Sequence, residues 1–390
     1  MNDSAAVSAN LDIDSDDVQL FRAMAERLAR EEYAPHHAKW EKDGEISREA
    51  WRQAGASGFL CCDLAEEFGG PGGDFRHTAA VIEVLAATGM SGPCYSFMVH
   101  SDIVTPYFRR YGSPEIQAQW LPRLAKGEAI GAIAMTEPCT GSDLKAIRTQ
   151  AVAQPNGSYI LNGSKTFITN GNIADVIIVA AKTSPEKGAK GVSLFVLDAQ
   201  LPGLRRGHKL EKLGMKACDT AELFFDDLRL PPGSVLGEVD QGFKYLMGEL
   251  PRERLVIAIA AQASSESILK QTIAYTRERK VFGKPIAEYQ NTAFRLAELH
   301  AQLVMGRSFL NDCIRRQCAG TLDTETAAMA KLNLTELQGQ VMDACVQFHG
   351  GYGYMWEQPV TRAYADARVM RIFGGTNEIM RELISRKLIA

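Results

Sequence analysis

A chain of 390 residues, 46% hydrophobic and 23% charged, is long enough to bury one large core or two to three smaller ones, so a globular protein of several domains is expected. A net charge of -4 spread over the whole length excludes a basic nucleic-acid surface and a polybasic membrane anchor. The eight cysteines form no CxxC and no Cys/His metal spacing, which points to reduced, mostly buried thiols, no metal site and a cytoplasmic location.

The first residues carry Asp3, Asp12, Asp14, Asp16 and Asp17, with no Lys or Arg before Arg22. Secretory and mitochondrial leaders need positive charge there, so neither is expected. From about Asp16 to Gly127 the pattern is helical: Val18, Phe21, Met24, Ala25 and Leu28 recur at three-to-four spacing, and residues 78–87 and 114–124 behave likewise. The uncharged run 84–101 is broken by Gly89, Gly92, Pro93 and several serines and reads as buried helix and loop, with no membrane span.

Near Ile130 the texture changes. β-Branched runs appear at 174–181, 192–197 and 221–225, and three Asn-Gly pairs (156–157, 162–163, 170–171) fall close together. Asn-Gly is a strong hairpin signal because both residues accept a positive φ, so an antiparallel β domain is expected here. Pro231-Pro232-Gly233 closes it, and the helical period returns from Gly242, with long segments at 255–279, 291–318 and 324–348. The expected architecture is α+β: an N-terminal all-α domain over 1–129, a middle β domain over 130–236 and a C-terminal helical bundle over 237–390. Neither GxGxxG nor GxxxxGK[ST] occurs, which disfavours a Rossmann enzyme.

Four stretches offer chemistry. AMTEPCTGSD at 134–143 enters the β region as a polar turn with hydroxyls and free backbone N–H groups, suited to an electron-rich ligand or simply to an ordinary capped turn. In KTFITNG at 165–171, Phe167 and Thr169 share a strand face, which suits a flat heteroaromatic ring or a plain core aromatic. QFHGGYGY at 347–354 places three glycines after a long helix; these permit close backbone approach by a nucleotide, or in part a helix C-cap. FGGTNE at 373–378 leads into a final helix whose first amides favour an anion or polar cofactor edge, or only an N-cap at Thr376.

In their order these stretches, with ERKVFGK at 278–284, resemble the acyl-CoA dehydrogenase family from about Asp16 to the C-terminus. ELPRERL at 249–255 and FGGTNEIMRELISR at 373–386 resemble its long-chain and isovaleryl branch. Cys139 and Thr140 depart from the family's small pair in the first motif. The resemblance implies FAD as cofactor, an acyl-CoA thioester as substrate, an electron-transferring flavoprotein as acceptor and a homotetramer with the cofactor partly across a subunit boundary. It implies that Met135, Thr136 and Ser142 line the flavin, with Ser142 also near the acyl-CoA, that Phe167 lies against the isoalloxazine, and that Thr169 bonds near N5. Arg279, Phe282, Gln290, Gln347 and Gly351 would hold the pyrophosphate and adenosine, with Thr376 and Glu378 adding contacts. Residues 277–284 read otherwise as a solvated basic turn.

α,β-Dehydrogenation of a thioester needs a carboxylate within reach of Cα. Many members of the family carry it just before the Gly-Thr pair of the last motif, where this chain has Gly374. Glu253 is the candidate, because the resembled branch carries its base in the matching motif and because Leu246, Leu250, Glu253, Ile257 and Ala260 share one helical face. Pro251 threatens that register. Arg254 could orient the substrate or neighbouring carboxylates, and the resemblance implies that the Gly374 amide, with Gly375 beside it, polarises the thioester carbonyl. The expected substrate is a medium-to-long or branched acyl-CoA. An acyl-CoA oxidase or flavin monooxygenase on the same fold, and a non-catalytic acyl-CoA-binding protein, remain open readings.

Overall fold

The computed structural model describes residues 11–389, so Asp3 and the rest of the first ten residues lie outside it. Among the described residues, seven α-helices build the N-terminal part: α1 (Asp16–Leu28), α2 (Ala34–Asp43), α3 (Arg48–Ala56), α4 (Phe75–Ala87), α5 (Ser91–Met98), α6 (Thr105–Tyr111) and α7 (Pro114–Ala125). Helix α4 starts on a reciprocal cap, with the Asp74 carboxylate accepting from Arg76 N at 2.8 Å and His77 Nδ1 accepting from Asp74 N at 3.2 Å. A widened π turn, Val99–Val104, carries α5 into α6 and sets the face on which Tyr107 emerges. The uncharged run is thus buried helix, and no helix among the described residues is long and apolar enough to cross a membrane.

Eight strands follow: β1 (Gly131–Ala134), β2 (Gln150–Ala153), β3 (Tyr159–Thr169), β4 (Val176–Lys182), β5 (Val192–Asp198), β6 (Leu204–Arg206), β7 (Thr220–Leu230) and β8 (Val235–Leu236). The sheet order is β6-β7-β3-β2-β4-β5-β8, with β1 on β4. Pairing is mostly antiparallel, but β1 and β2 both run parallel to β4, so the sheet is mixed. Of the Asn-Gly pairs only 156–157 closes a hairpin, between β2 and β3. Gly163 lies inside β3 at a register break, where a Cβ would meet Thr149 Oγ1 at 2.5 Å. Asn170, at φ 63°, ends β3 in a turn whose amide reaches back to Ser96 O and Gly131 O. Strand β4 is buried on both faces: Ile177, Val179 and Ala181 pack into the sheet's own core, while Val176, Ile178 and Ala180 join the core shared with the helices.

The C-terminal part holds α8 (Gly242–Glu278), α9 (Gln290–Cys318), α10 (Thr324–His349), α11 (Pro359–Ala367) and α12 (Asn377–Leu388). Helix α8 runs through Pro251 without a break. Every residue from Arg252 to Ala263 is buried, so the amphipathic stripe expected there widens into burial all round.

Candidate active site

Glu253 sits where α8 enters the core and is only 3% exposed. The Tyr107 hydroxyl of α6 donates to its Oε1 at 3.0 Å. Burial pushes the carboxyl up to about 7; the Tyr107 hydrogen bond and the nearby Arg254 work against the rise, and the Glu249 charge adds to it. Its neighbour Arg252 is held in a buried cluster, with Nη1 on Asp63 Oδ2 at 2.5 Å and Nη2 on Asp102 Oδ1 at 2.8 Å, which fixes α8 to the N-terminal helices. Arg254 is equally buried, yet its Nε and Nη1 find no partner among the described residues.

The loop before α12 packs on the next turn of α8. Gly374 takes φ 64° and Gly375 φ 87°, the left-handed region that glycine tolerates. A Cβ on Gly374 would lie 2.3 Å from Ile257 Cδ1, one helical turn beyond Glu253. Lys331 of α10 donates to Gly375 O at 2.9 Å and to Asn377 Oδ1 at 2.7 Å, locking the loop. Burial and the charge of Arg254 push that amine down to about 8. Thr376 caps α12, accepting from Ile379 N at 3.4 Å, and Glu378 stands exposed in its first turn.

The two β-domain stretches are tied to each other. Lys165 is fully buried, donates to Glu137 Oε1 at 2.8 Å and to Met135 O at 3.0 Å, and Thr166 N donates to Thr136 O at 3.0 Å. Burial lowers the Lys165 amine to about 8 and Glu137 opposes the fall. Met135 and Thr136 are therefore held half-buried at the end of β1, with Ser142 exposed beyond the turn. Phe167 is the extra residue of a β3 bulge, at φ 59° and 68% exposed, so it is no core aromatic; Ile168 is buried between it and half-buried Thr169.

A second group lies at the far end of α8 and α10. Arg279, Gln347 and Gly351 line one cavity of about 500 Å³ together with Tyr275, His349 and Met355, and no β-domain residue lines it. Phe282 stands 95% exposed at φ 50° in the turn between Lys280–Val281 and Lys284–Pro285, and Gln290 is exposed at the start of α9. Within one chain the candidate cofactor residues thus fall into two sets.

The sequence matches the N-terminal, middle and C-terminal domains of acyl-CoA dehydrogenase over residues 15–128, 132–228 and 240–389. The chain belongs to the acyl-CoA dehydrogenase family. It is 48% identical over 377 residues to the long-chain specific acyl-CoA dehydrogenase of Sus scrofa mitochondria, covering 96% of this chain and 87% of that protein. Among solved structures, an acyl-CoA dehydrogenase from Geobacillus kaustophilus superposes with a TM-score of 0.94 at 44% identity, covering 96% and 98% of the two chains. A glutaryl-CoA dehydrogenase from Mycobacterium smegmatis, in complex with FADH2, superposes with a TM-score of 0.90 at 30% identity, covering 97% and 95%.

FAD is the cofactor of acyl-CoA dehydrogenases, and the residues of this one fit it. The rings of Phe167 and Phe282 are exposed and pair with no other aromatic among the described residues. Above Gly351 the space that a Cβ would enter is open, as close backbone approach by a nucleotide requires. Tyr107 and Lys331 escaped the sequence reading. Lys331, a lone charge in the apolar run AAMAKL, carried the signal that exposed Glu253; Tyr107, among other aromatics, carried none.

Proposed function

We propose that the chain catalyses α,β-dehydrogenation of a medium-to-long or branched acyl-CoA to the trans-2-enoyl-CoA, with Glu253 as the base. The observation that carries this is the pairing of a buried carboxyl, lifted to about 7, with a neighbouring loop whose Gly374 has no side chain. A carboxylate with that affinity for protons takes one from an activated α carbon far better than an exposed glutamate would. The Gly374 N–H polarises the thioester carbonyl as negative charge develops, and Gly375, Arg254 and Ser142 line the acyl-CoA path. Bound FAD supplies the hydride acceptor, at N5. Met135, Thr136, Ser142, Phe167 and Thr169 serve its flavin half, and Arg279, Phe282, Gln290, Gln347 and Gly351 its nucleotide half, with Thr376 and Glu378 adding contacts.

The same reading assigns domain limits at 129/130 and 236/237, an electron-transferring flavoprotein as acceptor and a reducing compartment, the cytoplasm, for the eight unpaired thiols. It also assigns a homotetramer: Phe294, Ala297, Ala301, Val304 and Met305 form an exposed apolar stripe on α9, which a second copy would cover. Anaerobic bleaching of the flavin against thioesters of graded length and branching tests the whole. Absence of bleaching by any acyl-CoA overturns the assignment, and stoichiometric peroxide in air points to the oxidase instead.

A further inference from the structure

Two groups with no role assigned so far bear on Glu253. From α6 comes the Tyr107 hydroxyl, 3.0 Å from Oε1, on a side chain with no exposed surface. From the preceding turn of α8 comes Glu249, a second buried carboxylate. Its Oε1 accepts from the Tyr111 hydroxyl at 2.9 Å and from Arg110 Nη1 at 3.0 Å, and its Oε2 has no partner among the described residues. The remaining charges around Glu253 are accounted for. Arg252 is taken up by Asp63 and Asp102, Arg254 lies beside it on the same helix, and Lys331 faces Arg254 from α10 while holding Gly375.

Resting on the assignment of Glu253 as the base, we propose that Tyr107 and Glu249 are its positioning residues: Tyr107 holds Oε1 so that Oε2 takes the α-proton, and the two bias its charge in opposite senses. A hydroxyl donating to a carboxylate stabilises the charged form more than the neutral acid. A like charge one turn away does the reverse, and Arg110, itself half in solvent, screens only part of it. Glu253 Oε2 accepts no hydrogen bond from the described residues, which leaves it as the basic atom. Tyr107 also keeps its side-chain bond after proton transfer, since Oε1 is then the carbonyl oxygen of the acid and still an acceptor. The carboxyl therefore changes charge without rotating. The rings of Tyr107 and Tyr111 lie 6.1 Å apart and Tyr111 stacks on Tyr245 at 4.1 Å, so the donor is set in a packed aromatic row.

The test is the pH dependence of anaerobic flavin reduction by acyl-CoA in the FAD-loaded enzyme, beside infrared titration of the Glu253 carboxyl in enzyme free of acyl-CoA. Tyr107→Phe keeps the ring and removes the donor; its acid limb and its carboxyl titration should both move up, by about half to one pH unit, and its limiting rate should fall several-fold. Glu249→Gln should move both down by a similar amount. Limbs that stay put in both variants, or that move the same way, overturn the proposal while leaving Glu253 as the base. Wild-type reduction by Glu253→Gln overturns the base assignment, and this proposal with it.

Discussion

Ile257 occupies the space that a side chain on Gly374 would need, with Cδ1 2.3 Å from the Cβ position. The loop position is therefore already filled from α8 by Ile257, one helical turn beyond Glu253. A carboxylate moved to the loop must displace Ile257 and accept φ 64°, a strain of about 1–2 kcal/mol for a non-glycine residue. The double variant Glu253→Gln/Gly374→Glu is accordingly expected to stay inactive, and adding Ile257→Ala should restore measurable flavin reduction. Full activity in the double variant would show that the loop yields where the packing says it does not.

The nucleotide end gives a separate expectation. Arg279 and Gln347 line the cavity of about 500 Å³ at the end of α8 and α10 remote from Glu253. Arg279→Ala or Gln347→Ala should lower FAD retention through gel filtration by about tenfold or more, as loss of one charge-assisted or polar contact does, while far-ultraviolet dichroism stays native. Unchanged flavin content in both would remove them from the cofactor site.

Lys165 and Glu137 hold Met135 and Thr136 against β3 through a fully buried ion pair. Breaking such a pair by removing one partner costs about 3–5 kcal/mol, because the other charge stays buried. Lys165→Met should therefore lower the urea midpoint strongly and loosen FAD together. Lys165→Met with Glu137→Gln should recover most of the stability. A destabilisation that the second substitution fails to relieve would mean that Lys165 matters through its bond to Met135 O alone.

The order helix, strand, helix was legible because periodicity changes twice and proline-glycine punctuation falls at the second change. The burial of Glu253 was legible too, as a charge in an apolar stretch of helix. What periodicity could not give was the pairing of strands distant in sequence: β1 lies parallel to β4 because a buried strand with two apolar faces accepts a neighbour of either direction. Asn162-Gly163 signalled a turn but lies inside β3, opposite a break whose extra residue is on β7, and Gly163 is needed for close approach to Thr149. Phe167 was placed on the right strand, but its exposure follows from a bulge that the period of two hides. Tyr107 meets Glu253 across 146 residues of chain, through a π turn that no local pattern announces.

Glu253→Gln separates catalysis from stability. Shape and the Tyr107 contact survive, because the amide carbonyl accepts the hydroxyl proton as Oε1 does. General-base catalysis is lost, so flavin reduction by acyl-CoA should fall about 10²- to 10⁴-fold with FAD and acyl-CoA binding retained. Stability should move the other way. The folded carboxyl titrates at about 7 against an ordinary value of 4.5, so between those values the folded chain keeps a proton that the unfolded chain releases. The group is neutral for stability well below 4.5, costs progressively more as pH rises to 7, and above that costs about 3 kcal/mol. Replacing it by a neutral amide removes the cost. The variant should match wild type in urea denaturation near pH 4.5 and exceed it at pH 8. A variant that is no more stable than wild type at pH 8 would show that the native site holds the Glu253 charge without penalty, and the case for a tuned base on α8 would lose its physical ground.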